Sequence, residues 1–197
     1  MSSMIRCSCL FARSAALGKS KSGGTGMKYE LKYISPAGIT EAIAKAERYR
    51  SLNEPEEAES ICRDILNIEP QHQLALRLLG LALTDQFVGG ASDRYQEAEQ
   101  TFQKLNDSYE RLYYAGILYE RRAKAQFNAG LPPHTLLPLF EQALRSFAEA
   151  EKVRPSGNDD AILRWNRCVR LLQTTTYVSD VWEPERIPFD AQDTPPT

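Results

Sequence analysis

Two histidines and four cysteines are the side chains of this 197-residue chain best suited to nucleophilic, general-base or metal chemistry. His72 and His134 fall in predicted turns between helices, and neither has a cysteine or serine at a recognisable nucleophile spacing. Cys7 and Cys9 form a lone C-x-C within a basic stretch, whereas a closed zinc site needs four ligands. Cys62 and Cys168 lie on apolar faces of predicted helices, where a free thiol packs as a small hydrophobe. The acid pairs Glu56-Glu57 and Asp159-Asp160 each stand at the start of a predicted helix, where the positive end of the helix dipole already accounts for them. No P-loop, dinucleotide-binding glycine pattern or H-E-x-x-H occurs. Gly23-Gly24-Thr25-Gly26 lacks the lysine and following helix that phosphate binding requires. The expectation is a protein that is not an enzyme, with no catalytic residue, no cofactor and no metal.

Composition agrees with an ordinary globular chain: 42% hydrophobic, 25% charged, net charge −2. That balance gives no support for nucleic-acid binding. No apolar run approaches the roughly 20 residues that span a bilayer, so no membrane partner is expected. The cysteine usage fits a reducing compartment, and a cytoplasmic protein is expected. Residues 1–26 carry Arg6, Arg13, Lys19 and Lys21 and no acid. They read as a disordered tail, with Met27 a candidate true start; a transit-type leader and a secretory signal are the competing readings, which would send the protein to an organelle or out of the cell.

The elements around these residues are helical almost without interruption from 35 to 173, giving three regions: 1–34 leader and entry segment, 35–173 helical domain, 174–197 tail rich in proline and acid. Ser35-Pro36 predicts a helix start, and Ile39, Ala42, Ile43, Ala46 and Tyr49 recur at helical spacing. Asn53-Glu54-Pro55 predicts a turn into a second helix that ends before Pro70. A third helix follows from Gln71, and 88–92 reads as a flexible inserted loop before the helix of Tyr95, Ala98, Phe102 and Leu105. Asp107 or Ser108 caps the next helix, which runs through Phe127 to Gly130. Thr135 is the expected cap of a helix that takes Pro138 in its first turn and stops at Pro155. Ser156 or Asn158 caps a last helix whose periodicity fades from Thr174.

Within these helices a spacing recurs: Ala46, Ala58, Cys62, Ile65 and Pro70; then Gly80, Ala98, Phe102 and Leu105; then Gly116, Ala143, Phe147, Ala150 and Pro155. Small residues at fixed offsets let paired helices approach, and a larger side chain fills the hole beside them. Over roughly residues 39–155 the pattern resembles the tetratricopeptide repeat, a helix pair of roughly 34 residues. The first copy matches in register, and the step from Pro70 to Gly80 carries the match across a repeat boundary. The second copy holds about six extra residues between its helices and the third about fifteen, counted against that period.

The resemblance implies an all-α fold, a right-handed superhelical stack of about three helix pairs with a C-terminal capping helix. It also implies a concave groove lined by the first helix of each pair. Carried over residue by residue, the groove holds Thr40, Ile43, Glu47, Arg50 and Ser51 from the first repeat, Leu74, Arg77, Leu81, Thr84 and Asp85 from the second, and Glu110, Tyr113, Ile117, Glu120 and Arg121 from the third. The family's clamp for carboxylate tails needs asparagine where this chain has Leu81, so that clamp reads as absent. The expected function is protein–protein interaction, as adaptor, co-chaperone-like protein or assembly factor whose partner is another protein or peptide. The alternatives are a structural subunit whose groove holds its own C-terminal tail, in which Trp182 and Phe189 stand among prolines and acids, and a non-catalytic accessory of an enzyme complex.

Overall fold

A computed structural model describes residues 29–88 and 92–181, with side chains to Thr174 in the last helix. The basic leader with Cys7 and Cys9, the centre of the 88–92 loop and the tail with Trp182 and Phe189 lie outside the described residues. The chain divides into two units, 1–32 and 33–197. Of the first unit only 29–32 is described, and it holds no regular secondary structure.

The second unit is all helical among its described residues. A 3₁₀ turn, Pro36–Gly38, leads into α1 (Ile39–Ser51), α2 (Pro55–Ile68), α3 (Gln73–Asp85), α4 (Ser92–Gln103), α5 (Ser108–Asn128), α6 (Pro133–Lys152) and α7 (Asp160–Val181). Each helix packs on the next in sequence, and α3 also touches α1 and α5. One apolar cluster joins α1 to α4 with Leu118 of α5; a second joins α5, α6 and α7.

The helix ends follow from local chemistry. Asn53 takes the left-handed conformation at φ 61°, which asparagine tolerates, and Glu54 N–H then bonds Tyr49 O at 2.9 Å to close α1. Pro55 opens α2 where its missing N–H costs nothing, and Glu56 and Glu57 face the positive end of the dipole. His72 Nδ1 accepts from Ala75 N–H at 3.2 Å, so this histidine caps α3. Asp107 caps α5 by accepting from Glu110 N–H at 3.1 Å, and Asn158 Oδ1 accepts from Asp160 N–H at 2.9 Å to cap α7. The turn between α4 and α5 is held from the next helix: Arg111 donates to Leu105 O and Asn106 O at 2.6 and 2.8 Å.

Four expectations change. α6 starts at Pro133, not after Thr135, because proline suits the first helical position; Thr135 Oγ1 instead donates to Pro132 O at 2.7 Å. Pro138 therefore lies past the first turn, at the cost of one backbone hydrogen bond. His134 is exposed in the first turn of α6, not in a connecting loop. α7 continues to Val181, beyond the fading of its apolar pattern at Thr174.

The extra residues of the third pair are helix, not loop. α5 has 21 residues and α6 has 20, against 13 and 14 in α1 and α2. The lengthening leaves a shared contact intact. A Cβ built on Gly80 would stand 2.3 Å from Phe102 Cε1, and one on Gly116 would stand 2.5 Å from Phe147 Cε1. Both glycines therefore let a phenylalanine of the following helix lie against helix backbone. Phe102 and Phe147 are 3% and 1% exposed, worth about 2 kcal/mol each in apolar burial.

Candidate functional site

The residues expected to line a groove separate into two layers. Ile43 and Ile117 are buried in the apolar clusters, and Glu120 is fully buried at 0% exposure. These three, with buried Thr84, support the face from behind and are not on its surface. Glu47 and Ser51 are exposed on α1, and Arg50, Leu74, Arg77, Leu81, Glu110 and Tyr113 are half-buried.

The charged members of the outer layer tie the first helices of successive pairs to one another. Asp85, the last residue of α3, receives Arg50 Nε from α1 at 2.7 Å on Oδ2 and Arg121 Nη1 from α5 on Oδ1. The same Arg121 nitrogen donates to Thr84 Oγ1 at 2.7 Å and Leu81 O at 3.2 Å, so a guanidinium closes the carbonyl end of α3. One carboxylate thus joins three helices. The three side chains are 21–24% exposed, enough burial for their pairing to matter more than a solvated surface pair. Burial draws the Arg121 pKa below the usual arginine value; Asp85 opposes the shift, while Arg50 and Arg164 add to it.

A second crossing lies nearer the helix starts, where Arg77 Nη1 of α3 stands 3.4 Å from Glu110 Oε1 of α5. Arg77 Nε is buried with no hydrogen-bond partner, beside Tyr114, whose hydroxyl pKa is pushed up to about 12, first by burial. Tyr114 stacks on Phe102 at 5.0 Å and meets Tyr113 edge-on at 5.1 Å; Tyr113 also packs on Tyr109 and Phe147. The aromatic part of the face is consequently continuous with the core.

A third crossing joins α5 to α7. Buried Glu120 accepts Lys124 Nζ on Oε1, and Arg164 Nη1 of α7 stands 3.6 Å from its Oε2. Lys124 lies outside the set expected to line the groove, although its i,i+4 spacing from Glu120 is a readable pairing signal. Arg164 carries no such signal, because its place depends on the length of α6 that returns the chain to α5. Around Asp85 and Glu120 four cations, Arg50, Arg121, Arg164 and Lys124, meet two carboxylates, so this part of the face carries surplus positive charge, while Arg77 is paired with Glu110 and Glu47 stands exposed on α1.

The face of α2 and α4 is organised differently. Glu59 receives Arg63, Arg94 and Gln86 side chains, and these bonds outweigh burial to hold its pKa below the usual 4.5. Cys62 and Cys168 are buried free thiols with pKa values pushed up to about 12, first by burial. No three His, Cys, Asp or Glu side chains gather as a metal-binding group among the described residues. No described helix is long and apolar enough to cross a membrane.

This arrangement can present fixed guanidinium, carboxylate and tyrosine groups to another chain. The chain matches no protein-family model and no curated protein.

Proposed function

We propose that the protein is a tetratricopeptide-type repeat protein that works by binding another polypeptide along the outer side of α1, α3 and α5. The observation that carries this reading is the Arg50–Asp85–Arg121 crossing, which holds three first helices in one fixed arrangement. Rigid presentation lowers the ordering cost of association, and Arg and Tyr side chains commonly dominate binding at protein interfaces. The recurring Gly80–Phe102 and Gly116–Phe147 contacts support the repeat assignment, since the same close approach is used in consecutive helix pairs. The function is that of an adaptor or assembly factor without cofactor, and the protein is assigned to the cytoplasm, where buried thiols such as Cys62 and Cys168 stay free.

Affinity capture from native cells tests this. The exposed changes Glu47→Trp plus Ser51→Trp on α1, which block the face by bulk, should abolish capture of the wild-type partner, while Gln100→Trp plus Gln142→Trp on α4 and α6 should retain it. Unchanged capture by the α1 variant would remove the proposal.

A further inference from the structure

We infer that the arginine cluster of Arg50, Arg121 and Arg164 is a docking site for a carboxylate-rich polypeptide segment, and that its resident ligand is residues 182–197 of this same chain.

The site is built from three helices. Arg50 comes from the last turn of α1, Arg121 from α5 and Arg164 from the second turn of α7, with side chains 21%, 22% and 38% exposed. Asp85 takes one nitrogen from each of the first two arginines and Glu120 lies buried behind the third. A guanidinium carries five N–H donors in a planar fork; Arg50 engages Asp85 through Nε, and Arg121 engages Asp85, Thr84 and Leu81 through Nη1 alone, so both keep donors for a second anion. Lys124, 33% exposed, adds a further cation beside Glu120. Burial is the main cause of the lowered Arg121 pKa, and the nearby Arg50 and Arg164 charges add to it, so a carboxylate placed among the three guanidiniums relieves that like-charge contribution.

The ligand is argued from charge and reach. Residues 182–197 carry Glu183, Glu185, Asp190 and Asp193 against one cation, Arg186, and include Trp182, Ile187 and Phe189. α7 ends at Val181, 17 residues after Arg164, which is about 26 Å of helix at 1.5 Å per residue. Sixteen extended residues span up to about 53 Å, enough to double back over that distance. A tethered segment meets its site at roughly millimolar effective concentration, so a contact too weak to hold a free peptide still holds this one. Partners of the same face would then compete with the tail and would themselves need acidic groups. The inference rests on the reading of this side of the molecule as a binding face.

Trypsin cleavage after Arg186 reads the tail in the full-length protein, as the initial rate of release of fragment 187–197 by mass spectrometry. Each protein is compared with a free synthetic peptide of its own 182–197 sequence. In the wild type, release should be about tenfold slower than from the peptide, as expected when the docked state is about ten times the free state. Two variants should release it at their peptides' rates: Arg50→Gln plus Arg164→Gln, and a tail carrying Glu183→Gln, Glu185→Gln, Asp190→Asn and Asp193→Asn. The tail variant changes no described helix, so unfolding cannot imitate the effect. Wild-type release at the peptide rate overturns the inference, and so does protection that survives neutralising either side. Cross-linking of a partner from exposed α1 positions, with an unprotected tail, would leave the binding function standing and remove only this inference.

Discussion

Gly80 is the residue at which two physical rules oppose each other most openly. Helix propensity alone makes Gly→Ala favourable by up to about 1 kcal/mol in a helix interior. At this position the new methyl would meet the Phe102 ring at 2.3 Å, and overpacking of a filled core costs about 1–3 kcal/mol. Gly80→Ala should therefore lower the urea midpoint, and Phe102→Leu in that background should recover part of the loss; a stabilised Gly80→Ala would refute the packing assignment. Both the glycine and its phenylalanine were legible in the sequence, because a missing side chain and a ring at fixed offsets are what close helix packing demands. The thiols give a second prediction. With pKa values near 12 and almost no exposure, Cys62 and Cys168 should resist alkylation by iodoacetamide at pH 8 and react once the chain is unfolded in urea. Modification of either within minutes in the folded protein, located by peptide mapping, would contradict their burial.

Among the carboxylates that pair helices, Asp85 and Glu59 each receive side chains from more than one element. Asp85 holds α1 and α5 against the end of α3, so Asp85→Asn should leave Arg50 and Arg121 facing each other uncompensated and cost about 1–3 kcal/mol by urea titration. A loss no larger than that of an exposed surface aspartate would show that the crossing holds nothing together. Glu59 is bonded by Arg63 of its own helix, Gln86 beyond α3 and Arg94 of α4, and its pKa is lower in the folded chain than the unfolded value of 4.5. Its stabilisation is therefore complete above about pH 4.5 and fades as acid carries the pH through the lower folded value. Glu59→Gln should cost about 1 kcal/mol at neutral pH, with the gap to wild type closing in acid, measured as melting temperature against pH. A gap that persists unchanged at low pH would place the effect elsewhere. Helix starts at Pro55 and Asp107 were legible from residue type. The start of α6 was not, because Thr135 and Pro133 are both valid start signals and only packing selects between them. The cap by His72 was hidden for a similar reason: imidazole is a rare cap, and its spacing to Ala75 N–H is visible only once the turn is formed.

Across the whole molecule, the helical class and the order of pairs followed from periodicity, which is a local property. The two-layer division of the face proposed for binding did not. Ile43, Ile117 and Glu120 share helix positions with exposed neighbours, and their burial depends on how closely the next first helix approaches. The surplus of arginine on that face was equally hidden, because Arg164 reaches Glu120 only through the extended α5–α6 pair. The central claim is that another polypeptide docks on the side presented by α1, α3 and α5. Site-specific photo-crosslinking tests it most directly, with a photoreactive residue placed in turn at Glu47 and Ser51 on α1 and at Gln100 and Gln142 on α4 and α6. The account predicts that both α1 positions capture the same protein in native cells and that the α4 and α6 positions do not. Capture of that protein from Gln100 or Gln142 alone, or equally from all four positions, would contradict it.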